Sequence, residues 1–465
     1  MFRTVRLLGY AGALGVAAMA TGALASSDAL IDTLEKKGLL TPREATELKE
    51  QTYKDTRDMF PGTKIVIGSW LDELKISGDV RVRYEEFFNQ KVVRTDQQIP
   101  GSAGSYASIE NRIRLRYRLR LGFDATAGDF KGGVKLASGE NQGAANGNGD
   151  PISTNTTFDN TASHKPIYID RAYLSYNPSW FDQMTVTGGK MENPFFYSPM
   201  VFDADLSPEG FAQQYVYAVN DKLQFFFTAS QWAIEEAARG TGQQASGIGQ
   251  DVYMFGEQAG IDWKIVDKKL GLKTAVALYS FDGLNNSPIT LPMAGNAQFA
   301  APGSAVANLR DSINAINFNT QIKLGYLGEN LPVTVYGDYV YNMASSNTGS
   351  DGMNDGWFVG LKLGEAKKQG QWELAYYYES LGANAFLDAI VDSDFGYGGT
   401  NNEGHIIRAS YAVTDFLTLN LSFWVVENLD NFVQNAPNVP GGAVINGGDQ
   451  RHSTNRIQVD ANMKF

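Results

Sequence analysis

The chain has 465 residues, no cysteine, and 39 basic against 51 acidic side chains, a formal net charge of −12. An acidic balance argues against nucleic acid as a partner, and the lack of cysteine excludes c-type haem, iron–sulfur clusters and thiol catalysis. Mean hydropathy is −0.26 and no segment past the N-terminal leader nears eighteen consecutive apolar residues, so a membrane location would require strands closed into a barrel.

Residues 1–25 have the three parts of a secretory signal peptide: Arg3 and Arg6, an Ala/Leu/Gly-rich run from Leu7 to about Ala20, and Ala23-Leu24-Ala25 before Ser26. The alternative, a membrane-anchoring helix, fits poorly because the run is short and rich in small residues. Removal takes away two arginines and no acid, leaving 37 basic against 51 acidic residues and a net charge of about −14.

Residues 26–60 read as a periplasmic helical segment. Leu30, Ile31 and Leu34 have helical spacing, Gly38 is a stop, and Thr41-Pro42-Arg43-Glu44 is a capping box with proline at the first helical position. A second helix is expected to run to about Asp58, with Pro61-Gly62 ending it. An oligomerising stub is the alternative to a simple helical hairpin.

From Leu74 to Phe465 sixteen strand-like segments follow, near 76–85, 109–123, 129–138, 166–177, 183–190, 211–218, 222–233, 251–264, 270–281, 314–326, 331–343, 355–365, 370–380, 404–412, 416–426 and 454–465. Long connections such as Glu86–Ser108, Gly139–Lys165, Asp282–Ile313, Leu381–Glu403 and Glu427–Ser453 alternate with tight turns such as Asn220-Asp221 and Thr414-Asp415. Side chains alternate with period two: Ile316, Phe318, Ile322 and Leu324 oppose Asn317, Asn319, Gln321 and Lys323, and Ile457, Val459, Ala461, Met463 and Phe465 oppose Gln458, Asp460, Asn462 and Lys464. Strands of this length, apolar on one face and polar on the other, predict an all-β fold. It is a transmembrane antiparallel up-and-down β-barrel of about 16 strands spanning 74–465, with the apolar set toward lipid and both ends on the periplasmic side.

One face stands out. Arg112, Arg114, Arg116, Arg118 and Arg120 occupy every second position between Asn111 and Phe123. Turning even the central three toward hydrocarbon would cost on the order of 10 kcal/mol, at roughly 2–4 kcal/mol each, so they must point inward. Arg81, Arg83, Lys135, Arg171 and Lys190 fall on the same wet face, making a candidate pore-lining wall that would enrich anions. Glu192, Asp203, Asp205 and Glu209 follow, placed where a loop could fold into the lumen as a constriction. If their carboxylates neutralise the basic wall, the result is a transverse field rather than anion selectivity.

Several stretches resemble the bacterial putative-porin family of outer-membrane proteins. They are Lys75 to Tyr84, Asn111 to Phe123, Leu136-Ala137-Ser138-Gly139-Glu140 with Asp150 to Asn155, Asp170-Arg171-Ala172-Tyr173-Leu174, Gly189 to Phe195, Leu387-Asp388 with Asp392 to Gly396, and Lys37 to Thr41 in the helical segment. The resemblance covers essentially all of the mature chain. It implies passive passage of small hydrophilic solutes or ions across an outer membrane and supplies no solute. A terminal Phe465 resembles the signal read by the barrel-assembly machinery, and outer-membrane lipid and lipopolysaccharide are the implied surroundings. Trimers are an analogy at the level of the fold alone.

Chemistry beyond a channel is thinly supported. His164, His405 and His452 have no His-x-x-x-His spacing, so neither a zinc site nor a serine hydrolase is indicated, His405 at a strand mouth being the best hydrolase candidate. Asp392 and Asp394, and Asp351 and Asp355 around Gly352, loosely match calcium-loop spacing without the closing glutamate. No catalytic residue, metal site or cofactor is assigned. The expected function is a porin with anion preference through its basic wall; the alternatives are a plugged structural or adhesive barrel and an outer-membrane hydrolase.

Overall fold

A computed structural model describes parts of 31–49, then 71–93, 106–140, 152–236, 251–284, 298–299, 308–309, 312–325, 331–344, 353–429 and 450–465, with single positions excepted. The signal-peptide assignment at 1–25 and the calcium-loop position Asp351 lie outside the described residues. The chain divides into two units, Met1–Asp72 and Glu73–Phe465. In the first, the capping box closes reciprocally: Thr41 N donates to Glu44 Oε2 at 2.8 Å, and Glu44 N donates to Thr41 Oγ1 at 3.3 Å.

The second unit is a closed antiparallel barrel of 16 strands. They are β1 Glu73–Val93, β2 Arg112–Ala127, β3 Phe130–Ser138, β4 Ile167–Tyr176, β5 Met184–Lys190, β6 Glu209–Asn220, β7 Leu223–Glu235 and β8 Val252–Val266. The second half comprises β9 Leu270–Asp282, β10 Asn314–Leu324, β11 Val333–Asn342, β12 Asp355–Gly364, β13 Trp372–Leu381, β14 Asn402–Ala412, β15 Leu417–Asn428 and β16 Gln450–Lys464. Each strand pairs with its neighbour in sequence, and β16 returns to β1 from Asp79↔Lys464 to Val93↔Gln450. Closure leaves no open edge among the described strands, the condition for strands in hydrocarbon.

The last residue completes the seam. Phe465 N donates to Gly78 O at 3.0 Å, and Gly78 N donates to Phe465 O at 2.9 Å. The Phe465 ring lies only 2.6 Å from where a Cβ on residue 78 would sit, so the seam admits glycine alone there.

All sixteen expected strands are present, with one large difference in extent. β1 continues to Val93 where a loop from Glu86 was expected, and Tyr106–Ser108 pairs back on it. The alternation is interrupted at Asn89, whose φ is 50°, and the β1–β16 register shifts between Phe88 and Lys91. That bulge moves the period out of phase and hides the strand from a period-two reading.

Outward positions are exposed and apolar, among them Ile113, Leu115, Leu119, Phe318, Leu361, Leu374 and Leu421, with Trp263, Tyr339, Trp357, Trp372 and Tyr376 supplying aromatic belts. The inner face departs from the expected all-polar lumen. Trp232, Met254, Tyr279, Phe358, Ile406 and Trp424, all inward on β7 to β15, pack with Phe195, Met200, Val201 and Phe202 of loop 191–208 and with Phe386, Leu387, Ile390 and Phe395 of loop 382–401. Both loops therefore fold into the barrel and are held by an apolar cluster, as in a soluble core.

Wall glycines make room for this cluster. A Cβ on Gly256 of β8 would come within 2.5 Å of the Phe195 ring. Gly256→Val is expected to push loop 191–208 off the wall at a cost of about 1–3 kcal/mol from overpacking, read as a lower unfolding midpoint with the β-sheet signal of the refolded barrel unchanged.

Candidate pore and constriction

The arginine row faces inward, as the energetic argument requires, and every central member meets an acid. Arg83 forks onto Asp460, with Nε and Nη2 donating at 2.7 and 2.9 Å. Arg118 and Arg120 share Asp79 through their Nε atoms at 2.9 and 2.6 Å. Arg114, Arg116 and Arg456 converge on Glu85, whose carboxylate is fully buried, at 2.6, 3.8 and 2.7 Å. Arg81 lies 3.9 Å from Asp460 and donates to Asn155 Oδ1.

Loops add the remaining acids. Glu140 takes Arg116 at 2.9 Å, Asp205 stands 3.7 and 3.9 Å from Arg118 and Arg120, and Asp394 lies 2.7 Å from Arg456 and 3.5 Å from Arg83. Seven guanidiniums (Arg81, Arg83, Arg114, Arg116, Arg118, Arg120, Arg456) thus face six carboxylates (Asp79, Glu85, Glu140, Asp205, Asp394, Asp460). Buried charge survives only when compensated in this way, and little net field remains. The row is a charged framework that anchors both loops. Arg112, at its outer end, is exposed.

The other residues that the sequence pattern placed on the wet face divide. Lys135 and Arg171 are inward, opposite each other, with Lys135 3.5 Å from Asp170 and Arg171 2.7 Å from Glu192. Lys190 pairs in register with Ala172 and with Glu209, and its Nζ donates to Ser207 O of loop 191–208 at 3.1 Å. Glu209, expected in the loop, is the first residue of β6 and pairs with Lys190 at 2.9 Å.

Asp203 joins the two loops. Its Oδ2 accepts from Ser393 N at 2.9 Å, its own N donates to Ile390 O at 2.8 Å, and Asp392 N donates to Pro199 O at 3.2 Å. Burial pushes the carboxyl of Asp392 up to about 6, with the Asp394 charge adding to it. Burial, then Asp392, raises Asp203 as well. Asp394 differs: burial opposes its ionisation, but Arg456 and Arg83 hold it well below the usual carboxylate range.

Raised folded values mean that the protonated Asp203 and Asp392 are the forms the loop contact favours. The Asp392 contribution is complete below about pH 4, the ordinary aspartate value, and is lost as pH climbs through about 6, and that of Asp203 is likewise lost as pH rises. Asp394 contributes above the ordinary value and loses its part only in stronger acid. Open-channel current noise from loop motion is therefore expected to be greater at pH 7.5 than at pH 5, and Asp392→Asn is expected to flatten that dependence.

Two further features of the lumen are not evident from the sequence. Beneath loop 191–208 a recess of about 460 Å³ is lined by Tyr173, Ser175, Thr187, Gln214, Lys131 and the Arg171–Glu192 pair. Tyr173 is fixed over Gly133 by donating to Asp124 at 2.6 Å. Across the lumen, Lys323, Lys362 and Arg408 share one register row on alternate strands β10, β12 and β14, through Thr334 and Ala375. Lys273 stands nearby over the Phe196 ring at 4.4 Å. Against these four cations, Asp262 opposes Lys273 and Glu373 lies 3.2 Å from Lys362. Alternation alone puts Lys323 on the inner face, but only strand register shows that the three cations line up.

His405 faces outward, its Nδ1 2.8 Å from the Tyr376 hydroxyl, and His164 is exposed on a loop. Among the described residues no group of three or more His, Cys, Asp or Glu is arranged to hold a metal ion.

The sequence matches the family described as putative porin over residues 45–328 and 313–465. No curated protein matches the chain. Among solved structures, the outer membrane channel DcaP of Acinetobacter baumannii is 14% identical, with 84% of this chain and 97% of that one covered at a TM-score of 0.43. Pseudomonas putida OprB is 12% identical, covering 84% and 94% at a TM-score of 0.46. Salmonella typhi OmpF is 10% identical, covering 84% and 97% at a TM-score of 0.42.

Proposed function

We propose a passive outer-membrane channel for small hydrophilic solutes, and the premise is that the chain belongs to the putative-porin family. The observation that carries the reading is the two-sided barrel: exposed apolar residues and aromatic belts outside, and inside a polar recess beside two inserted loops. Export through the 1–25 leader, a periplasmic helical segment at 26–60 and assembly through Phe465 complete the picture.

Selectivity in this reading does not come from the arginine row, which its acids nearly neutralise. It comes from the opposite wall, where Lys323, Lys362 and Arg408 line up in one register row with Lys273 nearby, and the acids Asp262, Glu365, Glu373, Glu379 and Asp392 lie around the row. A unit charge about 4 Å from a passing ion in water is worth on the order of 1 kcal/mol, so the lined-up cations support a moderate preference for anions. The hydrophilic recess offers hydroxyl and amide partners for neutral solutes as well.

Liposome swelling tests the channel itself. Vesicles carrying the purified protein are expected to swell in small sugars and to resist larger oligosaccharides, because the loops narrow the lumen. Vesicles that stay tight to every solute would leave a plugged structural barrel as the better description.

A further inference from the structure

We propose that the recess beneath loop 191–208 is a binding subsite for an uncharged polyhydroxylated solute, a monosaccharide; the proposal deepens the channel reading above and rests on it. Neighbouring strands place its polar side chains in two register rows. Ser175 of β4 lies opposite Thr187 of β5, and Thr187 lies opposite Ala212 of β6. One row nearer the turn that precedes β5, Thr185 lies opposite Gln214. These side chains line a volume of about 460 Å³, within the roughly 300–1,000 Å³ usual for small-ligand sites.

The hydrogen-bonding capacity these groups have left decides the ligand. The Ser175 and Thr187 hydroxyls share one hydrogen bond at 2.8 Å, and a hydroxyl carries one donor and two acceptor positions, so that bond leaves one O–H and further lone pairs. Gln214 uses one N–H on Pro194 O at 3.2 Å, which fixes its carboxamide against the loop and leaves the second N–H and the oxygen. Thr185 accepts from Asn177 Nδ2 at 3.4 Å and keeps its own O–H. Donors and acceptors are thus interleaved on adjacent strands about 4.8 Å apart, close to the separation of alternate equatorial hydroxyls on a six-membered sugar ring. Each alcohol of a sugar both donates and accepts and so meets either kind of partner, whereas a simple anion only accepts and an ammonium only donates.

Charge in the recess is already matched. Arg171 Nη1 donates to Glu192 Oε2 at 2.7 Å, and Lys131 and Asp129 add one charge of each sign to the lining. An ion would have to break the Arg171–Glu192 pair to gain a partner there; a neutral solute does not. Next to the Ser175–Thr187 row, the Tyr173 ring is confined: it lies 2.5 Å from where a Cβ on residue 133 would sit, and its hydroxyl donates to Asp124 at 2.6 Å. A fixed ring offers a flat apolar surface to the C–H face of a sugar, and Met191 and Pro194 add apolar surface from the loop.

Ion current through planar bilayers reads the binding, with glucose as the probe. Glucose is expected to reduce single-channel current saturably, with half-block at millimolar concentration. Thr187→Val/Gln214→Leu, which removes two hydrogen-bonding partners, is expected to raise that concentration about tenfold. Gln321→Leu, on β10 across the lumen, should leave it unchanged. A fall in current that is linear in glucose and equal in wild type and the double variant is viscosity alone and overturns the subsite, as does saturable block by the zwitterion alanine with none by glucose. A second measurement removes dependence on current. The chain has no native cysteine, so Thr187→Cys reports alone, and its modification by a water-soluble thiol reagent is expected to slow severalfold in saturating glucose while that of Gln321→Cys does not. Equal rates with and without glucose would overturn the subsite. Protection of Thr187→Cys in a protein that carries no current would instead defeat the channel reading and leave the recess as a binding site.

Discussion

Glu85→Gln is expected to destabilise the barrel by about 3–5 kcal/mol, the cost of removing one partner from a buried charge network. Glu85 is fully buried and is the point on which Arg114, Arg116 and Arg456 converge; Gln458 Nε2 also donates to it at 3.0 Å. A carboxamide keeps the shape but leaves three guanidiniums with far less compensation. The neighbouring Glu86 serves as the control, since it faces outward and accepts from Tyr84 at 2.7 Å at a half-buried position. Glu86→Gln should stay within about 0.5 kcal/mol, as surface changes usually do. Denaturant titration of the folded band in detergent reads both, and equal losses from the two variants would show that the network does not hold the wall together.

Replacing 383–400 by a short glycine–serine turn is expected to raise single-channel conductance severalfold without unfolding the barrel. Strands β13 and β14 remain joined in register from Trp372↔Tyr411 to Leu381↔Asn402, so the wall survives. What leaves is a body of buried apolar side chains, including Phe386, Leu387 and Phe395, that occupies the lumen against Phe202 and Tyr279. Asp394 leaves with it, so the arginine wall loses one carboxylate while Arg83 keeps Asp460 and Arg456 keeps Glu85. One lost carboxylate is worth on the order of 1 kcal/mol to an anion about 4 Å away in water, so anion preference should rise by about fivefold. Planar-bilayer recording gives both numbers. Unchanged conductance would mean that the loop lies outside the current path.

How much of this is legible in the sequence follows from what kind of contact each feature needs. The sixteen strands are readable because lipid and water impose a strict period of two, as in Ile316 to Lys323. The inward turn of Arg114, Arg116 and Arg118 is readable because hydrocarbon forbids the alternative. The neutralisation of the row is only half readable: Asp79 and Glu85 lie two residues on either side of Arg81 and Arg83, on the same face, whereas Asp394 comes to Arg83 from 311 residues further along the chain (394 − 83). At Lys190 the pattern stops being a guide, because Gly189 and Gly210 have positive φ and alternation no longer tracks the face. The apolar filling escapes it because Trp232, Tyr279 and Phe281 read as ordinary strand residues. That both faces of β9 are apolar from Ala275 to Tyr279 makes sense only once a loop is found to cover the inner one.

The location of selectivity is the claim on which the account turns, and reversal potential in a salt gradient tests it most directly. Wild-type protein is compared in planar bilayers with Lys323→Gln/Lys362→Gln/Arg408→Gln and with Arg120→Gln on the arginine wall. Anion preference in the wild type, lost in the triple variant and nearly kept in Arg120→Gln, is the predicted result. A reversal potential unmoved by the triple variant, or a cation-preferring wild type, would contradict it.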